Sequence, residues 1–173
     1  MKLIPCFILL WMLSSFSASA QPSDPAKCLS SGNANRNKLT FNSQGTTTYT
    51  LSSISNFEST LTYTNNINLN VLARDQRYRV YIAGEMTYTT GGSTTIIPLS
   101  NFRIEPVLSG SNTSVSVTQV VLTSVYQQII QDTGTTDSNG DDFLITIKLL
   151  PLDTYQQSPG NYKLKLHLRL CQY

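Results

Sequence analysis

The sequence predicts an all-β protein, a single antiparallel β-sandwich of about nine or ten strands. Apolar residues recur at every second position in several segments, most plainly in PGNYKLKLHLRLCQY at 159–173. Clusters of Gly, Pro, Asn and Asp separate most of these segments, as turns require. No stretch after residue 20 carries a convincing helical period. A closed barrel is the alternative arrangement of the same strands.

The first residues, MKLIPCFILLWMLSSFSASA, have the order of a secretory leader. Lys2 is followed by an apolar run from Ile4 to Leu13, then by the small-residue site Ala18-Ser19-Ala20. Residues 1–20 are therefore expected to be a signal peptide, and the run is too short to span a bilayer. No later stretch approaches the ~18 apolar residues of a membrane span, so none is expected in the mature chain from Gln21. Residues 21–37, QPSDPAKCLSSGNANRN, read as an irregular lead-in, and residues 38–173 as the sandwich domain.

Within that domain, KLTFN at 38–42 and TTTYTL at 46–51 are short Thr-rich strands on either side of Gln44-Gly45. INLNVLA turns Ile67, Leu69 and Val71 inward. RYRVYIA sets Tyr78, Val80 and Ile82 against Arg77, Arg79 and Tyr81. EMTYTTGGSTTIIPL at 85–99 reads as a hairpin about Gly91-Gly92. FRIEPVL contains Pro106, which confines that strand to an edge or a bulge. SVSVTQVVL, SVYQQIIQ and FLITIKLL complete the series. In the closing strand Tyr162, Leu164, Leu166, Leu168 and Leu170 share one face, and Lys163, Lys165, His167 and Arg169 share the other. Burying those five apolar side chains is worth on the order of 8–15 kcal/mol gross, before ordering entropy.

Composition narrows the function. The 12 basic and 10 acidic side chains nearly balance, and losing Lys2 with the leader brings them closer still, which argues against a nucleic-acid binder. Charged residues are 13% of the chain, below the ~25% usual for globular proteins. Thr, Ser, Asn and Gln supply the polar surface, as on many extracellular β proteins. Of three cysteines, Cys6 leaves with the leader. Export implies an oxidising compartment, so Cys28 and Cys171 are expected to pair. Cys171 lies on the polar-face parity of its strand, which places the bridge at the rim or outer face of a sheet.

Candidate chemistry is sparse. Asp132-Thr133-Gly134 matches the triplet of aspartic proteases, whose reaction needs two carboxylates sharing a proton. A single triplet, with Gln131 where those enzymes carry an apolar residue, reads instead as a strand running into a loop. Asp132, Asp137, Asn139, Asp141 and Asp142 supply oxygens of the kind Ca²⁺ uses, but the glycine of DSNGDD is fourth, not sixth as in an EF-hand. A solvated acidic turn is the expectation. His167 is the single histidine and cannot form a zinc site by itself. It is expected on the strand surface. Arg74, Arg77 and Arg79 with the basic face of the last strand offer a cationic patch, or simply keep the sheet soluble. Tyr81, opposite the inward residues of its strand, is a sugar-stacking candidate and equally an ordinary cross-strand partner.

The closing residues resemble the C-terminus of a chaperone-usher fimbrial subunit. Gly160, the alternating Tyr162, Leu164, Leu166, Leu168 and Leu170, and Tyr173 match that pattern, although the tyrosine is last and not penultimate. The resemblance implies an immunoglobulin-like or pilin-like sandwich in the periplasm or on the surface of a bacterium. Such subunits carry an alternating apolar donor segment at the N-terminus; residues 21–37 offer Leu29 and little else. The expectation is therefore a domain that folds alone as a monomer and sits at the end of a fibre if it joins one.

Together these readings point to an exported, non-catalytic structural or adhesion module, a fimbrial or surface-associated subunit, whose partner is a protein or a surface glycan. No cofactor, metal or catalytic residue is expected. A secreted carbohydrate-binding domain is the alternative.

Overall fold

The computed structural model describes residue 28 and residues 37–45, 47–88, 96–152 and 159–172. The expected leader at 1–20, Leu29 with most of the expected lead-in, Gly91-Gly92 and Tyr173 lie outside the described residues.

Among the described residues, ten strands form two five-stranded antiparallel sheets packed face to face. One sheet contains β1 (Asn37–Gln44), β3 (Leu61–Ala73), β9 (Asp141–Leu149), β5 (Phe102–Leu108) and β7 (Val120–Val121), in that order. The other contains β2 (Thr48–Leu51), β10 (Gly160–Gln172), β4 (Tyr78–Tyr88), β8 (Gln127–Asp132) and β6 (Val115–Val117). The chain changes sheet on both flanks, between β1 and β2 and again between β6 and β7. The segment 114–122 thus reads as one strand in sequence but serves two sheets.

Period-two alternation sets the core. Phe143, Ile145, Ile147 and Leu149 of β9 face Tyr78, Val80 and Ile82 of β4, and all are buried. Tyr49, Tyr63 and Phe102 meet edge to face, with centroids 4.9 Å apart for Tyr49–Tyr63 and 5.2 Å for Tyr49–Phe102. Pro106 pairs with Ile145 on one side, whereas β7 covers only Arg103 and Ile104 on the other. Pro106 is itself buried, but its backbone lies beyond the reach of β7, where its missing N–H costs no ladder bond.

Three features depart from the sequence reading. β3 starts at Leu61, six residues before the alternation at Ile67. A register shift between Tyr63 and Ile67 breaks the pattern, and Asn65 there has φ 49°, a conformation Asn tolerates. Ile54–Glu58 forms a five-residue helix, α1, whose start is held by Asn56 Oδ1 accepting the Ser52 and Ser53 N–H groups at 3.2 and 3.1 Å. Finally, Ile96–Pro98 form no strand, and Leu99–Asn101 make a 3₁₀ turn. The expected hairpin strand is absent from this segment, although β8 pairs with β4 only as far as Ile82 and, among the described strands, leaves 85–88 with β10 alone.

Gly84 lies on the inward side of β4, where its N–H donates to the Thr123 carbonyl at 2.8 Å. A Cβ there would sit 2.5 Å from Leu122 Cδ2. Gly84→Val should therefore destabilise the domain by about 1–3 kcal/mol through overpacking. Urea unfolding of the variant measures it, and an unchanged midpoint would refute the packing argument.

Candidate functional site

Two places stand out, an apolar groove beside β10 and a polar knot at one pole of the sandwich. The groove exists because β2 is short. It pairs only with Gly160–Lys163 of β10, and the Leu164 N–H then donates to the Thr47 carbonyl at 2.8 Å. Beyond that point no described strand lies on this side of β10, while β4 pairs with its other side as far as Gln172. Backbone groups alternate along an antiparallel strand. The Leu164 N–H faces the open side, so the N–H and C=O groups of Leu166, Leu168 and Leu170 face it too.

The same leucines are incompletely covered. Tyr162 and Leu164 are buried in the core, whereas Leu166, Leu168 and Leu170 are half-buried. The opposite wall is β1, whose Phe41 is 41% exposed, with Ile67 of β3 behind it. Gly45 and Thr47 close one end, and Lys163 and Lys165 line the rim of this cavity of about 170 Å³. At the far end of β10, Cys171 is bonded to Cys28. Cys171 keeps the outer-face parity of Lys163 and Lys165 but is only 5% exposed.

The outer face of β10 is less open than its charge suggested. His167, expected at the surface, is 10% exposed and lies 3.2 Å from Glu85 Oε2, which also pairs with Lys165 at 3.4 Å. The arginines do not act as one patch. Arg74 donates to the Ser138 carbonyl at 2.9 Å, Arg77 is exposed in the β3–β4 turn, and Arg79 and Tyr81 are half-buried on β4.

At the pole, the solvated acidic turn is corrected. Asp132 is fully buried and Asp141 is 8% exposed. Asp141 is the first residue of β9 and has the inward parity of Phe143 and Ile145. The Tyr78 hydroxyl donates to Asp141 Oδ2 at 2.7 Å. The Asn112 amide donates to both Asp141 oxygens at 3.1 and 3.0 Å, and to Asp132 Oδ2 at 3.4 Å. Ser114 Oγ and the Gly134 N–H donate to Asp132 Oδ1, the latter at 2.8 Å. Burial pushes the Asp141 carboxyl above its usual range; the Tyr78 and Asn112 hydrogen bonds oppose this, and the Asp132 and Asp137 charges add to it. The Tyr78 hydroxyl is pushed up by burial and by its bond to Asp141.

The remaining loop oxygens hold the loop itself. Asp137 Oδ1 accepts the Asn139 and Gly140 N–H groups at 2.7 and 3.0 Å, and Asp142 Oδ1 accepts from the Asn70 amide at 3.0 Å. Among the described residues, no three His, Cys, Asp or Glu side chains are grouped to hold a metal ion. In the Asp-Thr-Gly triplet, Asp132 is closed off from solvent, and its neighbouring carboxylate is Asp141. Outside the knot, Ser109, Ser111, Asn112, Thr135, Asp137 and Asp142 border an open polar cleft of about 380 Å³.

Sequence reading missed Asn112, Ser114 and the groove residues Phe41 and Thr47. The inward parity of Asp141 was available, by extending the β9 alternation back two residues. No protein-family model matches the chain, and no curated protein matches it either. No helix among the described residues is long and apolar enough to cross a membrane.

Proposed function

We propose that this chain is an exported, non-catalytic structural or adhesion module that engages a protein partner through the open edge of β10. The observation that carries the reading is the coincidence, along one strand, of half-buried leucines at 166, 168 and 170 with backbone groups that no strand among the described residues pairs. An extended peptide meets both needs at once. Its backbone extends the ladder, and its alternate side chains enter the groove. Completing the burial of each leucine is worth about 1 kcal/mol. The lysines at 163 and 165 favour acidic residues beside the inserted strand. The C-terminal resemblance to fimbrial subunits agrees with this mode of assembly.

The test uses residues 21–173 exported to an oxidising compartment without a partner. Size-exclusion chromatography should give a soluble monomer with a cooperative melt. A synthetic seven-residue peptide with Val at alternate positions and Asp or Thr between them should then protect the amides of Leu166, Leu168 and Leu170 from hydrogen exchange. Protection elsewhere, or none, would overturn the reading. The polar cleft at the pole favours the second reading, a carbohydrate-binding domain. Glycan-array binding lost in Asp142→Ala, with no peptide-induced protection, would favour it instead.

A further inference from the structure

Charge nearly balances over the whole chain, yet the fold separates the two signs. On the outer face of β10, Lys163, Lys165, His167 and Arg169 stand at alternate positions. Their register partners on β4 are Thr87, Glu85, Ala83 and Tyr81, and the next outward pair is Cys171 with Arg79. Glu85 is the single acid among the described residues of this face. The other described acids lie at the pole, in α1, in the β3–β4 turn or on the other sheet. We infer that this face binds an acidic polysaccharide, a chain of sugars with one carboxylate each, laid along β10.

Spacing, access and the lack of apolar anchors point to that occupant. The basic positions repeat every second residue, about 7 Å apart, so Lys163 to Arg169 spans roughly 20 Å. A row of that length suits an extended polymer better than a single ion. Lys163 is exposed, and the Lys165 side chain is 60% exposed although its ammonium lies 3.4 Å from Glu85 Oε2. So open an ion pair leaves the ammonium within reach of a second carboxylate. None of the exposed large apolar side chains lies on β2, β10 or β4. The face therefore offers no apolar anchor of the kind that a protein partner or a bilayer would need.

Neutral groups beside the cations suit sugar hydroxyls. Thr48 and Thr50 of β2 flank Lys163 and Asn161, and Gln128 and Gln131 of β8 flank Tyr81 and Arg79. Hydroxyls and amides both donate and accept, so they pair with sugar hydroxyls, whereas phosphodiester oxygens only accept. Tyr81, whose ring can receive the apolar face of a sugar, is the register partner of Arg169, whose guanidinium can grip a carboxylate with two parallel N–H groups. Glu85 already offsets part of the positive charge of the row. One carboxylate per sugar therefore matches what remains, and a densely sulfated chain exceeds it.

The test titrates the exported chain, bridge intact, with an oligogalacturonate long enough to cover the row, and reads binding by calorimetry. Affinity should fall several-fold from low to physiological salt. Arg169→Gln and Lys163→Gln should each weaken binding roughly two- to fivefold, the range for exposed ion pairs. Glu85→Gln, which releases Lys165, should strengthen binding by a similar factor. The fully methyl-esterified oligomer, the same sugars without charge, should not bind. Equal binding of the ester, or no gain in a folded Glu85→Gln, would overturn the inference. If Glu85→Gln fails to fold, unchanged affinity in both Arg169→Gln and Lys163→Gln would overturn it instead. Tighter binding of a heparin fragment or a single-stranded oligonucleotide would do so as well, by showing a surface that takes any polyanion.

Discussion

Replacing Cys28 and Cys171 together by serine should remove roughly 4–5 kcal/mol of stability, the loop-closure contribution for a bridge between residues this far apart. The two cysteines are 143 residues apart, so the bridge encloses every strand of both sheets. The loss should appear as a fall in melting temperature on the order of 10 °C for a domain of this size. It should also appear as faster exchange at the Cys171 end of β10, beyond the reach of β2. Adding a reductant to the native protein should reproduce the effect only slowly, because Cys171 is buried. Identical melts for the wild type and the double variant would show that the closed loop contributes nothing to stability.

Phe102→Ala should cost about 3–5 kcal/mol, the range for removing a fully buried aromatic ring. Phe102 is completely buried at the start of β5 and pairs in register with Leu149 of β9. Its ring meets that of Tyr49, from the opposite sheet, at 5.2 Å. The substitution therefore opens a cavity between the sheets beside a tyrosine that cannot collapse into it without leaving Tyr63. Guanidinium unfolding should show a lower midpoint with an unchanged slope. A loss below about 1 kcal/mol would mean that the layer repacks around the gap.

The parts of the fold legible in the sequence are those where one face is buried and nothing interrupts the period. In β4, Tyr78, Val80 and Ile82 point inward as the alternation predicts, and in β10 Tyr162 and Leu164 do the same. The first half of β3 was missed although Leu61 and Tyr63 keep the inward parity of Ile67, Leu69 and Val71, because the polar pair Asn65-Asn66, where the register slips by two residues, interrupts the apolar row. α1 was hidden because its single buried residue, Phe57, cannot make a period. Alternation also reports which side chains share a face but not which strand lies alongside. For that reason neither the division of 114–122 between two sheets nor the short reach of β2 could be read. The groove is a product of that short reach. The buried carboxylates at the pole were misread for a different reason. A run of Asp, Asn, Ser and Gly reads as solvated unless residues distant in sequence supply donors. Here the donors come from Tyr78 and Asn112.

The bridge between Cys28 and Cys171 also decides how this protein bears a pull. Tension between a point before residue 28 and a point after residue 171 runs through the covalent bond and leaves the 142 residues between unloaded. Neither sheet has to shear for that load to be carried, and the domain cannot be drawn out into an extended chain while the bond lasts. A load that enters sideways, through a strand laid against β10, takes another route. In the proposed mode of binding it is resisted by a row of backbone hydrogen bonds at Leu166, Leu168 and Leu170, pulled in parallel and not one after another. Under force, the attachment should then yield before the body does.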